Sequence, residues 1–347
     1  HPVLLRPNRA VQGRGKCFKL NRMAAVFAGV VMLIGIVTLS IDTWMMRESR
    51  RYAVIGGKGT PSRLAQLRIW RISALVMALL LFLVGVILPL GALFLSTIMH
   101  VPGRFTAENF TLAYWIGRDL PTIAVPTGIL LSPDFWSAAW NTMRIVGTAA
   151  ICSGLLGMIV GYIVVRSPNR ALSVALRQIT FFPYLVPGIA FAAAFLVLFA
   201  VPRGPIPALY GTPWILLLAL IADQMPFASR AGISSMTQLG HDVEDAAKLM
   251  GAGWMRRMRS IIIPINKGAL VSGILMPFIS GIKGVSLFIM LAVPATDVLS
   301  TYSLRLVDYN YTQASNAVVL MISLIAVLGT LLVNRLTGTG LARGLES

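Results

Sequence analysis

The stretch HDVEDAAKLMGAGWMRRMRSIIIP, residues 241–264, is the most informative part of this chain. Asp242 is a favourable N-cap, and Glu244 and Asp245 place negative charge in the first turn, where the helix dipole stabilises it. Gly251 has the position of a left-handed helix stop. The residues at i, i+3, i+4 and i+7 form one apolar face, made of Val243, Ala246, Ala247 and Met250. The segment predicts a short capped helix that needs a docking surface.

The sequence on both sides of this segment is too apolar for a water-soluble globule. Of the 347 residues, 56% are hydrophobic and only 12% are charged, about half the charged share of a soluble domain. Seven apolar runs approach or exceed the roughly 20 residues that span a bilayer. They are residues 23–41, 72–99, 135–165, 171–200, 213–231, 268–294 and 314–336. The sequence therefore predicts an all-α, polytopic transmembrane helical bundle, with a six-helix core at 72–336 and one preceding helix at 23–41.

Basic residues lie between the apolar runs. The formal net charge of +18 would suit nucleic acid, but this placement follows the positive-inside rule instead and indicates lipid as the surroundings, with no nucleic acid. By alternation, residues 1–22 would lie outside although they hold six basic residues, so their side stays open. The rule predicts cytoplasmic locations for the linker 42–71, the loop 232–267 and the tail 337–347, and external locations for 101–134 and 201–212.

Motifs that carry catalysis are scarce in this sequence. The histidines His1, His100 and His241 have no metal-ligand spacing. Residues 13–16 and 56–59 lack the pattern of a phosphate-binding loop, and no nucleophile elbow occurs. We therefore expect no catalytic residue, no metal site and no cofactor bound by the chain itself.

Four ionisable residues lie within or beside apolar runs, where charge is expensive. Arg144 and Arg230 lie near span ends and are expected to extend towards the interface. Asp223 and Lys283 are the better candidates for a transport pathway or an interhelical pair. An amphipathic helix resting on lipid is the alternative for residues 242–250, but alanines bury little apolar area, which favours a protein groove.

The loop segment resembles the permease subunits of type I, binding-protein-dependent ABC importers. Their loop reads Glu-Ala-Ala, three residues, Gly, nine residues, Ile, one residue, Leu-Pro. The matching residues here are Asp245, Ala246, Ala247, Gly251, Ile261 and Pro264. Asp245 replaces the motif Glu, with Glu244 one place earlier, and Ile263 replaces Leu. The first departure keeps the negative charge, and the second keeps an apolar side chain.

Other segments extend the resemblance over roughly residues 70–340. Residues 140–144, 182–188 and 225–230 resemble elements of the second, third and fourth core helices of the family. Residues 51–59 are similar to the connector of fused ferric-iron permeases. On that resemblance, 23–41 is the last helix of a first half. The family often has Lys-Glu where this chain has Lys283 followed by Gly.

The resemblance implies an alternating-access importer in a bacterial inner membrane. Its loop residues, from Glu244 to Pro264, would dock on a dimer of ATP-binding subunits, which hold the ATP and Mg²⁺. A periplasmic or external solute-binding protein would supply the substrate, and a second permease half or copy would complete the pathway. Ferric iron is the implied substrate, with thiamine, polyamine, phosphonate or sulfate as alternatives.

Two other classes of protein remain as alternatives. An ion-driven secondary transporter typically has several intramembrane carboxylates and internal repeats, whereas the apolar runs contain Asp223 and the loop motif occurs once. A receptor-like or structural membrane subunit would leave the spaced loop motif unexplained.

Overall fold

The computed structural model describes residues 68–117, 125–205, 207–240 and 242–337, together with Leu33 and Val37. Residues 1–22, most of the predicted helix 23–41, most of the linker 42–71 and almost all of the tail 337–347 lie outside the described residues. Within the described ranges the regular structure is helical, and an isolated bridge pairs Met99 with Phe110. The predicted all-α class is confirmed.

Twelve α-helices follow one another in the described part of the chain. They are α1 (Arg71–Thr97), α2 (Ala113–Ile116), α3 (Pro133–Arg166), α4 (Arg170–Leu185), α5 (Gly188–Phe199), α6 (Pro213–Gln238), α7 (Asp242–Leu249), α8 (Trp254–Ile265), α9 (Lys267–Lys283), α10 (Ser286–Leu291), α11 (Leu299–Asp308) and α12 (Thr312–Thr337). Single π-helical turns lie within α1 at Leu83–Ile87 and within α8 at Met258–Ile262.

Four of these helices are long and apolar enough to cross a membrane: α1, α3, α6 and α12. Two bent pairs, α4 with α5 and α8 with α9, bring the spans to as many as six in the described residues. That count agrees with the predicted six-helix core.

Two of the apolar runs that were predicted as continuous spans are broken in the structure. The run 171–200 bends by 108° between α4 and α5. Pro187 cannot donate a helical hydrogen bond, and it forces the preceding Val186 into an extended conformation. The run 268–294 ends its first helix at Lys283, because Gly284 is extended before α10 begins. Hydropathy averages over such breaks, so it predicted continuous spans.

Helices α3 and α6 form the centre of the bundle, and α9 packs against both. Their crossing is so close that a Cβ at Gly157 would overlap the backbone of Ala228, and one at Gly161 would overlap Gly232. Only glycine permits this approach, which joins the two helices backbone to backbone. Around this centre, the apolar side chains of α1 are exposed, as expected for a chain surrounded by lipid.

A second, smaller core holds the predicted cytoplasmic end together. It joins Met158 of α3, Met236 of α6 and the α8 residues Met258 and Ile262. A buried hydrogen bond from Ser235 to the Asn266 side chain links α6 to the start of α9. Tyr162 packs against this core, and its hydroxyl reaches Glu244 of α7.

Candidate functional site

Helix α7 begins and ends largely as the sequence predicts. Asp242 is the first helical residue and lies in the first turn with the other two acids, so it is not the N-cap that we expected. The predicted stop at Gly251 is confirmed by its positive φ of 75°. Gly251 N–H donates to the Lys248 carbonyl at 2.9 Å, and Ala252 N–H donates to the Ala247 carbonyl at 3.0 Å. This pair of bonds is a Schellman motif, which satisfies the last carbonyls of the helix.

The orientation of α7 differs from the expected one. Ala247 was placed on the docking face, but it is buried at 8% exposure and packs towards the protein's own bundle. Val243 and Met250 are exposed, and so is Leu249 at 90%. The predicted single apolar face is therefore wrong for Ala247, because Glu244 and Ala247, three residues apart, form the inward side.

The charged group that turns α7 inward is Glu244, whose side chain is 3% exposed. Its Oε2 lies 3.3 Å from Nε of Arg166, at the end of α3. Its Oε1 lies 3.4 Å from Nε of Arg257 in α8, and it accepts a hydrogen bond of 2.7 Å from the Tyr162 hydroxyl. Lys248 approaches the same oxygen at 3.9 Å. Two arginines and a phenol thus hold one buried carboxylate, which ties α7 to α3 and α8.

The two arginines also bind backbone carbonyls on either side of α7. Arg166 donates to the Leu239 carbonyl at 2.8 Å and to the Gly240 carbonyl at 3.2 Å, where α6 ends. Arg257 donates to the Ala252 carbonyl at 3.0 Å, just after the helix stop. Both chain segments that lead into and out of α7 are therefore fixed by the same cluster.

The cluster was not predicted from the sequence, where Arg166 and Arg257 counted only towards the positive-inside pattern and Tyr162 had no role. Arg166 could have been singled out as a candidate partner, because it is the last residue of a long apolar helix. On the outer side of α7, Asp245 accepts a hydrogen bond of 2.8 Å from Lys248. This contact raises the pKa of the Lys248 ammonium, which keeps it charged.

The remaining loop residues of the predicted site lie in and after the π-helical turn of α8. Ile261 is partly buried, whereas its neighbour Ile262 is fully buried in the small core. Pro264 is exposed in the first turn after the π-helical segment. Ala246 is exposed on α7. The coupling role of Glu244, Asp245, Ala246, Ala247, Gly251, Ile261 and Pro264 stays a prediction.

The structure does not bring Asp223 and Lys283 together as an ion pair among the described residues. Lys283 is exposed at the end of α9. Asp223 is half-buried in α6 and accepts a hydrogen bond of 2.6 Å from the Gln224 amide. Both expected interfacial arginines are exposed: Arg144 donates to the Asn141 side chain, and Arg230 lies 4.4 Å from the centre of the Phe181 ring.

A cavity of about 140 Å³ lies beside Asp223, between α6, the start of α5 and the break that separates α9 from α10. Gln224, Ser280 and Ser286 also line it. In the described ranges, no three His, Cys, Asp or Glu residues come together as a set that would hold a resident metal ion.

Comparison with known families matches residues 153–339 to the model described as "Binding-protein-dependent transport system inner membrane component". The matched region includes the end of α3, the whole of the α7 loop and all helices that follow it.

Curated relatives are permeases of three kinds of transport system. The chain is 24% identical over 313 residues to the ferric transport system permease protein FbpB of Actinobacillus pleuropneumoniae, covering 89% of this chain and 44% of that permease. It is 28% identical over 204 residues to the putative ferric transport system permease protein FbpB 1 of Haemophilus influenzae, covering 58% and 30% respectively. It thus spans less than half the length of these two relatives. The sulfate transport system permease protein CysT of Salmonella typhimurium is 24% identical over 57% of this chain and 76% of its own length.

Solved structures of ABC transporters share the fold. A chain of the bacterial alginate ABC transporter, in complex with an alginate pentasaccharide-bound periplasmic protein, superposes with a TM-score of 0.58 at 16% identity, covering 78% of this chain and 94% of that chain. A chain of the inward-facing MetNI methionine ABC transporter gives a TM-score of 0.50 at 17% identity, covering 60% and 98% respectively.

Proposed function

This chain belongs to the family of binding-protein-dependent transport system inner membrane components, the permeases of ABC importers, and we propose that it passes ferric iron across a bacterial inner membrane. An external solute-binding protein delivers the iron, and a separate dimer of ATP-binding subunits supplies the energy. A second permease half or a second copy completes the pathway.

The observation that carries the coupling role is the two-sided character of α7. Its inner side is fixed to the bundle by Glu244, while Leu249 and Met250 remain about nine-tenths exposed at its end. Large apolar side chains at such exposure favour a protein partner. A groove of the ATP-binding subunit suits this helix, since a rigidly held helix transmits the partner's closure to α3 and α8.

The sequence lacks a phosphate-binding pattern, which supports the proposal that this chain does not itself bind or hydrolyse ATP. We infer that ATP and Mg²⁺ are held by the partner subunit, and that this chain contributes no catalytic residue and binds no cofactor. Its exposed apolar helix α1 supports lipid and a second permease half or copy as neighbours within the membrane.

Ferric iron is favoured over other substrates by the breadth of the likeness. The ferric permease of Actinobacillus matches 89% of this chain, whereas the sulfate permease matches 57%. An oxyanion such as sulfate or 2-aminoethylphosphonate is the second candidate, since permeases named for both are 23–24% identical to the shared region.

The test is reconstitution of the complete transporter, with its ATP-binding subunits and its binding protein, in phospholipid vesicles. We expect ATP-dependent uptake of radioactive ferric iron that unlabelled sulfate and 2-aminoethylphosphonate do not inhibit. Uptake of either oxyanion without uptake of iron would contradict the proposed substrate. ATP hydrolysis by the chain in the absence of its partner would contradict the proposed division of labour.

A further inference from the structure

The cavity beside Asp223 lies near the middle of the predicted span 213–231, where two broken helices meet α6. Asp223 is ten residues into α6, which places it about 15 Å along the helix axis, or half of a hydrocarbon core roughly 30 Å thick. Helix α5 begins at the cavity with Gly188, and the break between α9 and α10 contributes Gly284 and Ser286. Irregular backbone at this depth is tolerated where it borders a cavity in the protein.

An unpaired oxygen is buried at this cavity. Gln224 is 3% exposed, and its Oε1 has no hydrogen-bond partner, whereas its amide nitrogen donates to Asp223 at 2.6 Å. Buried polar atoms in native proteins are almost always paired, and an atom without a protein partner is open to an ordered water or a bound ion. The hydroxyl groups of Ser280 and Ser286 border the same space. The polar side chains of the lining are therefore oxygen-bearing.

The sign of the charge that this cavity accepts is set by Asp223. It is the single charged residue among the described residues that line the cavity. Lys283 is close in sequence to the lining but is exposed and takes no part in it. The carbonyl end of α9 favours a cation, whereas the N–H ends of α5 and of the short helix α10 favour an anion. Each helix end is equivalent to roughly half a charge, so together they amount to about half a positive charge. The full negative charge of the Asp223 carboxylate outweighs it and favours a cation.

We propose that this cavity is a transit site for a hard metal cation, held by the Asp223 carboxylate, the Gln224 Oε1 and the neighbouring hydroxyl oxygens. Oxygen ligands are those that hard cations prefer. One carboxylate among neutral oxygens holds a cation loosely, as transport requires, because a permeating ion must leave as readily as it enters. The same carboxylate repels sulfate and phosphonate. The identity of the cation as ferric iron rests on the proposed function; the site itself does not.

The first experiment measures binding of terbium(III), a hard trivalent probe, to the detergent-purified chain by its luminescence. We expect Asp223→Asn to weaken terbium binding by about tenfold or more, because it removes the one negative ligand while it keeps the side-chain volume. Gln224→Met, which removes the unpaired oxygen, should weaken it by a smaller factor. Glu108→Gln, an exposed change in the external loop, is the control and should leave it unchanged. Equal affinities of wild type and Asp223→Asn would overturn the site.

The second experiment measures uptake of radioactive ferric iron and ATP hydrolysis in parallel, in vesicles that contain the complete transporter. We expect Asp223→Asn to lower iron uptake about tenfold while binding-protein-stimulated ATP hydrolysis persists, and Asp223→Glu to restore part of the uptake. Undiminished iron uptake by Asp223→Asn would overturn the transit site. Terbium binding that depends on Asp223, in a wild-type transporter that carries no iron, would support the site and reject ferric iron as the substrate.

Discussion

Glu244 is a buried carboxylate and Asp223 a half-buried one, and their surroundings are opposite in kind. Glu244 is met by two guanidinium groups and a phenol, and its side chain is 3% exposed. Asp223 is met by one amide, beside a cavity and an unpaired oxygen. The Nε atoms of Arg166 and Arg257 reach Glu244 as ion pairs and not as hydrogen bonds. A buried charge compensated by opposite charges holds structure together, whereas one that lines a cavity with no opposite charge among its described lining residues is suited to bind something that comes and goes.

We expect the largest difference between the two sites in the free energy of unfolding, when each carboxylate is replaced by its isosteric amide. Glu244→Gln leaves the Arg166 and Arg257 guanidinium groups without a counter-charge, and removal of one partner from a buried pair costs about 3–5 kcal/mol. Asp223→Asn keeps an oxygen that accepts from the Gln224 amide, so it should cost less, about 1 kcal/mol of the free energy of unfolding. Thermal unfolding of the detergent-purified variants, with tryptic cleavage at Lys248 as a local probe, measures both.

Equal destabilisation by the two amides would contradict the distinction between a structural and a binding carboxylate. Asp245→Asn is the matched control beside Glu244, because its side chain is 56% exposed. Exposed ion pairs contribute little, so this variant should unfold as the wild type does.

The helix stop at Gly251 is the second feature that fixes α7, beside the Glu244 cluster. Gly251→Val forces a β-branched residue to positive φ, which costs roughly 1–2 kcal/mol, although a Cβ there would meet no atom within 4 Å. The cost is therefore one of backbone conformation alone. Gly251→Asn is the control, because asparagine tolerates the left-handed region. We expect faster proteolysis of the 242–257 loop in the valine variant, and equal rates in both variants would contradict the assignment.

The smallest effect on stability is expected at the exposed end of α7. Met250 is 89% exposed, so Met250→Glu should leave the unfolding free energy within about 0.5 kcal/mol. If that end docks on the ATP-binding subunit, a charge there should weaken association about tenfold. Co-purification and the affinity of the two subunits measure this effect. Lys248→Ala, at a flanking exposed position, is the control and should leave subunit association nearly unchanged. Normal association of Met250→Glu would exclude this end of α7 as the docking surface.

The membrane spans could be predicted because the hydropathy of a spanning helix is a property of its own residues. The bends were not predicted, although Pro187 was visible, since a window average does not register one extended residue. Asp223 could be singled out as a candidate from the sequence because a charge in an apolar run is conspicuous. Gln224 was overlooked because it carries no charge, and its unpaired oxygen becomes evident only when the bundle buries it.

The orientation of α7 could not be predicted from sequence periodicity, and the reason is different. Periodicity assigns charged residues to the outer side of a helix, and that rule places Glu244 outside. Its partners Tyr162 and Arg166 precede it by about eighty residues, and nothing local indicates that their side chains reach it. The correction also changes the choice of probes: Ala247 is buried by the chain itself, so Met250 is the better position for testing a partner.

Helix α6 runs without interruption from the Asp223 cavity to the loop before α7, and it touches α3 backbone to backbone at both Ala228 and Gly232. The first contact lies about 8 Å along the axis from Asp223, and the second lies about 9 Å from the end of the helix at Gln238. Two close contacts one helical turn apart prevent α6 from tilting against α3 on its own. A displacement at the α7 end would therefore move α3 and α6 together and carry Asp223 with them as part of one rigid pair.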